Sequence, residues 1–179
     1  MNFLRRIQLY LLKRNNPAKY AREKGVTVGD KCKFIGSPDF GSEPWLISIG
    51  NHTEISCQVA FITHDGATWV FRDDDEYKNI VKFGRIKVGN NCFIGARSTI
   101  LPGVTIGDNS IVGACSLVNK SIPSGEVWGG VPVHYIMTTK EYAEKCKKNT
   151  PEYDVAEYRI NFQKIVNQIC DAVENNLHQ

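Results

Sequence analysis

Residues 88–118 read VGNNCFIGARSTILPGVTIGDNSIVGACSLV. Steps of six from Val88 land on Ile94, Ile100, Ile106, Val112 and Val118, an aliphatic series in phase without a gap. Glycine follows the aliphatic at 89, 95, 107 and 113, and Asn90 and Asp108 follow two of those glycines. Four residues after each aliphatic stand Cys92, Ser98, Val104, Ser110, Ser116 and Ile122, all but the last small or medium in size. Period six is not the 3.6 of a helix, but it contains the period of two that a strand needs. It specifies short flat strands separated by tight corners, one wall per hexad, in a stacked parallel β-helix. The aliphatic fills the interior and the small residue sits where the walls crowd together. The Gly-Asn and Gly-Asp corners are expected to supply positive φ and side chains that bond their own turn.

The same phrase stands upstream as Val28-Gly29-Asp30-Lys31-Cys32-Lys33-Phe34, and as Ile49-Gly50-Asn51-His52-Thr53-Glu54 leading to Ile55 and Phe61. Its phase slips at 35–48 and at 62–87. Repeat folds take insertions as loops on one face, and such loops often carry function. The expected plan is an all-β solenoid over 26–137 with an insertion loop at 62–87, a helical cap over 1–25 and helices over 138–179. Asn16-Pro17 reads as an N-cap with Pro in the first helical position, and Gly25 as a stop, so a helix is expected over 17–24. Leu4, Ile7 and Leu11 share a helical face, expected to cover the open end of the coil, with an anionic membrane surface as the alternative. Thr138-Thr139-Lys140-Glu141 is a capping box that starts a helix ending before Pro151. Val155, Tyr158, Phe162, Ile165, Ile169 and Ala172 then form a heptad-like stripe suited to one further helix.

A chain of 179 residues, 42% apolar and 23% charged, fits one main folded domain with appendages rather than a disordered or membrane-spanning protein. Its net charge is +3, yet residues 1–24 hold seven Lys or Arg against one Glu, leaving 15 basic and 18 acidic residues for the remainder. A mildly acidic body with a basic leading segment lacks the basic stripe that nucleic acid requires, so no nucleic-acid partner is expected. The six cysteines (32, 57, 92, 115, 146 and 170) are dispersed without a CxxC pair, as expected of free thiols in a reducing cytosol. The apolar run at 7–12 is too short for a signal-peptide core, and the protein is expected to be cytoplasmic, with peripheral membrane association through its basic N-terminus as the alternative to the capping role.

The block Val88–Ile136, with its in-phase hexads and Gly-Gly-Val-Pro ending, closely resembles the hexapeptide-repeat acyltransferases, in particular the sugar O-acetyltransferases of the galactoside and maltose acetyltransferase type. Residues 41–47 (GSEPWLI) and 61–72 (FITHDGATWVFR) are similar to the capsular polysaccharide and lipopolysaccharide O-acetyltransferases of that group. The resemblance implies a left-handed parallel β-helix, a homotrimer with active sites at subunit interfaces, acetyl-CoA as donor and a sugar as acceptor. The handedness rests on resemblance alone, because crossovers between parallel strands are generally right-handed.

His64 opens the second insertion, where a histidine of the similar enzymes removes the proton from the acceptor hydroxyl. Acetyl transfer from a thioester to an alcohol needs a base near neutrality, and an unperturbed imidazole is the side chain closest to that. Glu43 is a candidate for accepting hydrogen bonds from sugar hydroxyls or for orienting the base. Trp69 and Phe71 are candidates for a sugar platform and Arg72 for an anionic anchor, although aromatic residues in such a loop also serve to pin it to a neighbouring subunit. Asp65 reads as a turn former, His52 as a solvent-facing corner, His178 as part of the tail, and Asp73–Glu76 as a solvated turn.

The resemblance also places donor contacts at Ala96, Ala114, Asn119 and Lys120, with Phe93 near the acetyl group and Lys120 toward a phosphate. Relatives usually carry Lys or Arg two residues beyond the Pro of the Gly-x-Pro ending, and often another three later. This chain has His134 and Met137 there, and His134 is kept as a donor-site candidate. No metal is expected, because four histidines without paired spacing do not make the three-histidine zinc site of a γ-type carbonic anhydrase. The alternatives are N-acetyl transfer to a nucleotide-linked amino sugar and a noncatalytic trimeric scaffold. The long insertion argues against the scaffold.

Overall fold

The computed structural model describes residues 3–177, so His178 lies outside the described residues. It contains two compact units, residues 1–139 and 140–179. In the first, helices α1 (Phe3–Asn15) and α2 (Pro17–Lys24) lead into β1 (Thr27–Val28), β2 (Lys33–Phe34), β3 (Ile47–Ile49), β4 (Glu54–Ile55), β5 (Ala60–Phe61) and β6 (Ile86–Val88). Then come β7 (Phe93–Ile94), β8 (Thr99–Ile100), β9 (Thr105–Ile106), β10 (Ile111–Val112), β11 (Leu117–Val118), β12 (Glu126–Gly129) and β13 (His134–Thr138). The strands form three sheets: β1-β3-β6-β9, β2-β4-β7-β10-β12-β13 and β5-β8-β11. Strands β6, β7 and β8 belong to the first, second and third sheets in turn, and β9 returns to the first. The chain therefore winds as a three-sided parallel coil.

A regular turn takes eighteen residues, as the cross-coil bonds Asn90–Asp108 and Asn91–Asn109 mark. Val88, Ile94, Ile100, Ile106, Val112 and Val118 are all buried inside it. Each such side chain contributes roughly 1.5–3 kcal/mol on burial, so the in-phase column is the core. The small residues face the same interior and spend their polar atoms on the adjacent turn: the Ser98 hydroxyl donates to Gly113 O (3.0 Å) and the Ser110 hydroxyl to Pro123 O (2.8 Å).

The corners differ from the expectation that glycine supplies the positive φ. Positive φ falls two residues after the glycine, on Asn91 (53°), Arg97 (61°), Asn109 (56°) and Cys115 (57°). The glycine is required for a different reason. A Cβ on Gly95 would lie 2.4 Å from the Ala114 backbone nitrogen, and one on Gly89 would lie 2.8 Å from that of Asp108, so two turns touch there backbone to backbone. Nor do the Asn and Asp side chains bond their own corner. Asn51 Oδ1 accepts from Asp30 N (2.8 Å), Asn90 Oδ1 from Asn51 N (2.8 Å) and Asp108 Oδ1 from Asn90 N (2.7 Å), a ladder that ties each turn to the next.

Two turns are longer than eighteen residues. The same ladder spans 21 residues from Asp30 to Asn51 and 39 from Asn51 to Asn90. The slip at 35–48 therefore adds three residues, since Asp39 still pairs with Ala60 in the coil, and the slip at 62–87 adds twenty-one. Both surpluses leave at the corner between the third and first sheets, after Phe40 and after Phe61, on consecutive turns.

At the start of the coil α2 is formed as expected: Asn16 Oδ1 caps Lys19 N and Gly25 is left-handed at φ 105°. Its Ala21 is buried, and Arg22 donates from Nε to Val28 O (3.1 Å) and from Nη2 to Gly29 O (2.6 Å). The expected covering by Leu4, Ile7 and Leu11 is not observed. All three are exposed, and it is Leu9 and Leu12, on another side of α1, that are half-buried. At the other end β13 turns back antiparallel to β12, so parallel pairing stops at Gly129. The turn between them carries the Gly-Gly-Val-Pro sequence with a cis Val131–Pro132 bond.

The second unit holds most of α3 (Thr139–Asn149), with α4 (Val155–Ile160) and α5 (Phe162–Leu177). The apolar stripe expected to form one helix is divided at Asn161, which leaves helical geometry (φ −120°, ψ 53°) and offers its carbonyl to Ile165 N. Asparagine is favoured at helix ends, and here it overrides the periodicity. Tyr158 packs against Tyr153 and Phe162, with ring centroids 5.5 and 5.1 Å away. Among the described residues no helix is long and apolar enough to cross a membrane.

Backbone contact at the corners makes a direct prediction. Gly95→Ala should cost about 1–3 kcal/mol, the usual range for overpacking. Gly66→Ala, whose added Cβ meets nothing within 4 Å, should stay within about 0.5 kcal/mol. Urea unfolding followed by tryptophan fluorescence at one fixed protein concentration separates the two.

Candidate active site

His64 stands where the chain leaves β5 for the long insertion. The neck of that insertion is closed by antiparallel pairing: Asp65 N donates to Lys82 O and Gly84 N to Thr63 O, both at 2.9 Å, with His64 bridged to Phe83. The Phe83 ring lies 5.8 Å from the imidazole, centroid to centroid. Glu43 comes from the three-residue surplus one turn earlier, at the same corner, and so reaches the histidine across the stack. Its Oε2 lies 2.9 Å from His64 Nδ1 and accepts a 2.7 Å hydrogen bond from the buried Thr63 hydroxyl.

This pairing sets Glu43 against the imidazole. The carboxylate faces the ring, and the Thr63 hydroxyl, followed by the His64 contact, holds its pKa below the usual carboxylate value. An ionised acceptor at Nδ1 calls for a proton on that nitrogen, so in the neutral ring the lone pair lies on Nε2. Asp65 takes no part in this pairing. It caps the 3-10 turn Gly66–Phe71 through Ala67 N (3.0 Å) and pairs with Lys82 Nζ (2.8 Å), which is the principal cause of its lowered pKa. It is thus the turn former expected.

A pocket of about 300 Å³ opens on the imidazole, lined by Glu43, His64, Thr68, Trp69, Arg72 and Phe83 among others. Trp69 is 76% exposed at its rim, while Arg72 Nη2 donates to the buried Thr68 hydroxyl at 3.2 Å. Phe71 packs edge-on against Tyr77 instead of lining the pocket. Asp73–Glu76 are exposed, and among the described residues no three His, Cys, Asp or Glu side chains converge as metal ligands. His52 is exposed at its corner and bonds Asn91 Oδ1 through Nδ1 (2.8 Å).

The residues carried over as donor contacts do not line this pocket. Ala96 and Ala114 occupy stacked corners between the second and third sheets, joined by Cys115 N donating to Ala96 O (2.8 Å), and Phe93 lies on the second sheet. Asn119 and Lys120 follow β11 at the next corner, where Lys120 Nζ sits 5.3 Å above the Trp128 ring. His134 is exposed on β13, its ring in the space that a side chain on Gly130 would fill. Sequence reasoning passed over Thr63 and Phe83. Thr63 continues the inward alternation from Phe61, a signal that was available. Phe83 reaches His64 only through the neck pairing, which no local pattern announces.

The family model of bacterial hexapeptide transferases, six repeats, matches residues 85–120. Protein CapG of Staphylococcus aureus is 46% identical over 148 residues, 82% of this chain and 85% of its own length. The galactoside O-acetyltransferase of Escherichia coli K12 is 55% identical over 51 residues, 28% of this chain and 25% of its own. A solved maltose O-acetyltransferase from Clostridium difficile 630 shares the fold with a TM-score of 0.56 at 22% identity, over 74% of this chain and 83% of that one. With its repeat and its three-sided coil, the chain belongs to the bacterial hexapeptide-repeat transferases.

The hydrogen bond from Thr63 is the principal cause of the lowered Glu43 pKa. In Thr63→Val the Glu43 carboxyl should titrate closer to an ordinary carboxylate, as followed by carbon NMR. A depressed folded-state pKa contributes stability above the unfolded value and loses it as pH falls through the folded one. The variant should therefore lose less stability on acidification than the wild type. An unchanged Glu43 titration would refute the assignment.

Proposed function

We propose that this protein is an acetyl-CoA-dependent O-acetyltransferase acting on a sugar hydroxyl in the building of surface polysaccharide. The observation that carries the reading is His64 held through Nδ1 by Glu43, with Nε2 left as base in a pocket of sugar size. The relatives named for galactoside and maltose O-acetylation support the reaction class. The similarity of residues 41–47 and 61–72 to capsular and lipopolysaccharide enzymes supports the acceptor class.

When bound, acetyl-CoA supplies the acetyl group already activated as a thioester. The residues of this chain do the rest. Nε2 of His64 takes the proton of the acceptor hydroxyl as its oxygen attacks the acetyl carbon, and Glu43 stabilises the resulting imidazolium. The proton then passes to the departing thiol sulfur. Trp69 and Phe83 offer apolar faces to a sugar ring, and Arg72 offers a cation to an anionic substituent. For the donor, Ala96 and Ala114 make a narrow corner of small side chains beside exposed backbone, which suits pantetheine, and Lys120 presents a fixed cation for a phosphate.

His64 and Glu43 share their side of the coil with Asn119 and Lys120 two turns on, whereas Ala96 and Ala114 lie at another corner. The family resemblance supports a trimer in which one copy's His64 faces another's donor corner. The assembly and the left hand of the coil are the form this family resemblance implies. Asn119 and His134 are placed with the donor on the same ground.

Thiol release from acetyl-CoA, measured over a panel of mono- and oligosaccharides and nucleotide amino sugars, tests the proposal. His64→Ala should lower kcat by about 10²–10⁴-fold, the range for a positioned proton-transfer group, with acetyl-CoA affinity retained. Glu43→Gln should fall between that variant and the wild type. Full activity in His64→Ala would overturn the mechanism, and failure of the wild type to bind acetyl-CoA would favour a scaffold.

A further inference from the structure

Helix α1 presents an apolar face that nothing in its unit covers. Phe3 and Leu4 are 74% exposed, Ile7 43%, Tyr10 60% and Leu11 51%. At about 100° per residue these five side chains share a sector of roughly 120°, the width of an ordinary buried stripe. The half-buried side chains of α1, Leu9 and Leu12, lie on a different side of the helix.

The charges around this face are of one sign. Arg14 lies within the sector, Arg6 and Lys13 border it, and all three are exposed. Residues 1–24 carry seven cations and one anion, whereas the rest of the chain has three more acidic than basic residues. A surface that is apolar within and anionic at its edge matches both features together. At thirteen residues, or about 20 Å, the helix is too short to cross a bilayer and lies along it instead.

We infer that α1 docks the protein on an anionic lipid bilayer, with Phe3, Leu4, Ile7, Tyr10 and Leu11 among the acyl chains and Arg6, Lys13 and Arg14 at the headgroups. The inference is independent of the acetyl-transfer reading.

The test is co-sedimentation of the full chain with vesicles of equal phosphatidylglycerol and phosphatidylcholine, beside vesicles of phosphatidylcholine alone. Binding should be at least about tenfold stronger to the anionic vesicles and should weaken in 0.5 M salt, where screening shortens to a few ångströms. The double variant Leu4→Glu/Ile7→Glu should lose binding, and Arg6→Glu/Lys13→Glu should lose about tenfold or more. Because these side chains are exposed, both variants should keep the wild-type thermal melt and any thiol-release rate on a soluble acceptor. Absence of binding to anionic vesicles, or undiminished binding by the Leu4/Ile7 variant, overturns the inference. So does a fall in oligomer size in that variant when the wild type ignores both vesicles, which would assign the face to another copy of the chain.

Discussion

The structure depends on how closely one turn of the coil lies on the next. At Gly95 and Gly89 the backbones meet at distances that exclude a Cβ, and the Asn and Asp ladder bonds each corner to its neighbour. Non-glycine residues two positions on are thereby forced into the left-handed region, at roughly 1–2 kcal/mol each. Backbone bonds between turns, such as Asn109 N to Asn90 O and Cys115 N to Ala96 O, offset that strain together with the buried aliphatics. A stack so constrained admits no extra residue within a wall. Additional chain leaves at a corner, and β3 still pairs with β6 in register across the whole long insertion.

That restriction is what makes a site. Because both surpluses leave the coil between the third and first sheets on consecutive turns, the three residues that bring Glu43 outward end beside the strand exit that carries His64. The interaction needs no long-range adjustment: stacked turns are about 4.8 Å apart, close enough for two side chains to meet. The buried Thr63 hydroxyl and the imidazole share one carboxylate oxygen, which favours the ionised form. Lys82 engages Asp65, the acid adjacent in sequence to His64, and so removes the competing partner for the ring. Two carboxylates of similar chemistry thus acquire distinct roles from their neighbours.

The coil was legible in the sequence because its constraint repeats: a requirement at every sixth residue leaves a mark at every sixth residue. The N-terminal cap at Asn16-Pro17 and Gly25 was legible for the same local reason. The reason for the glycines was not, since close approach of the following turn and positive φ both select glycine, and only the stack distinguishes them. The size of the first insertion was also hidden. Residues 35–40 stay in the coil without the usual Gly-Asn phrase, so a three-residue surplus looked like a fourteen-residue slip. At the site, His64 and Glu43 were readable as residue types in the two irregular stretches, whereas their pairing required knowing that both leave at one corner. The division at Asn161 shows the opposite failure, a single cap residue outweighing an apolar period that continues through it.

The order of turns along the coil gives these features a common direction. Helix α2 packs on β1, β2 and the short helix Pro44–Leu46, with Gly25 against Trp45, so the segment that presents Glu43 is built directly on the N-terminal helices. His64 follows on the next turn, and the small-residue corners at Ala96 and Ala114 lie on the two after it. The basic, outward apolar face of α1 is therefore at the same end of the coil as the pocket on His64, and the corners at Ala96 and Ala114 are farther from it by turns of about 4.8 Å each.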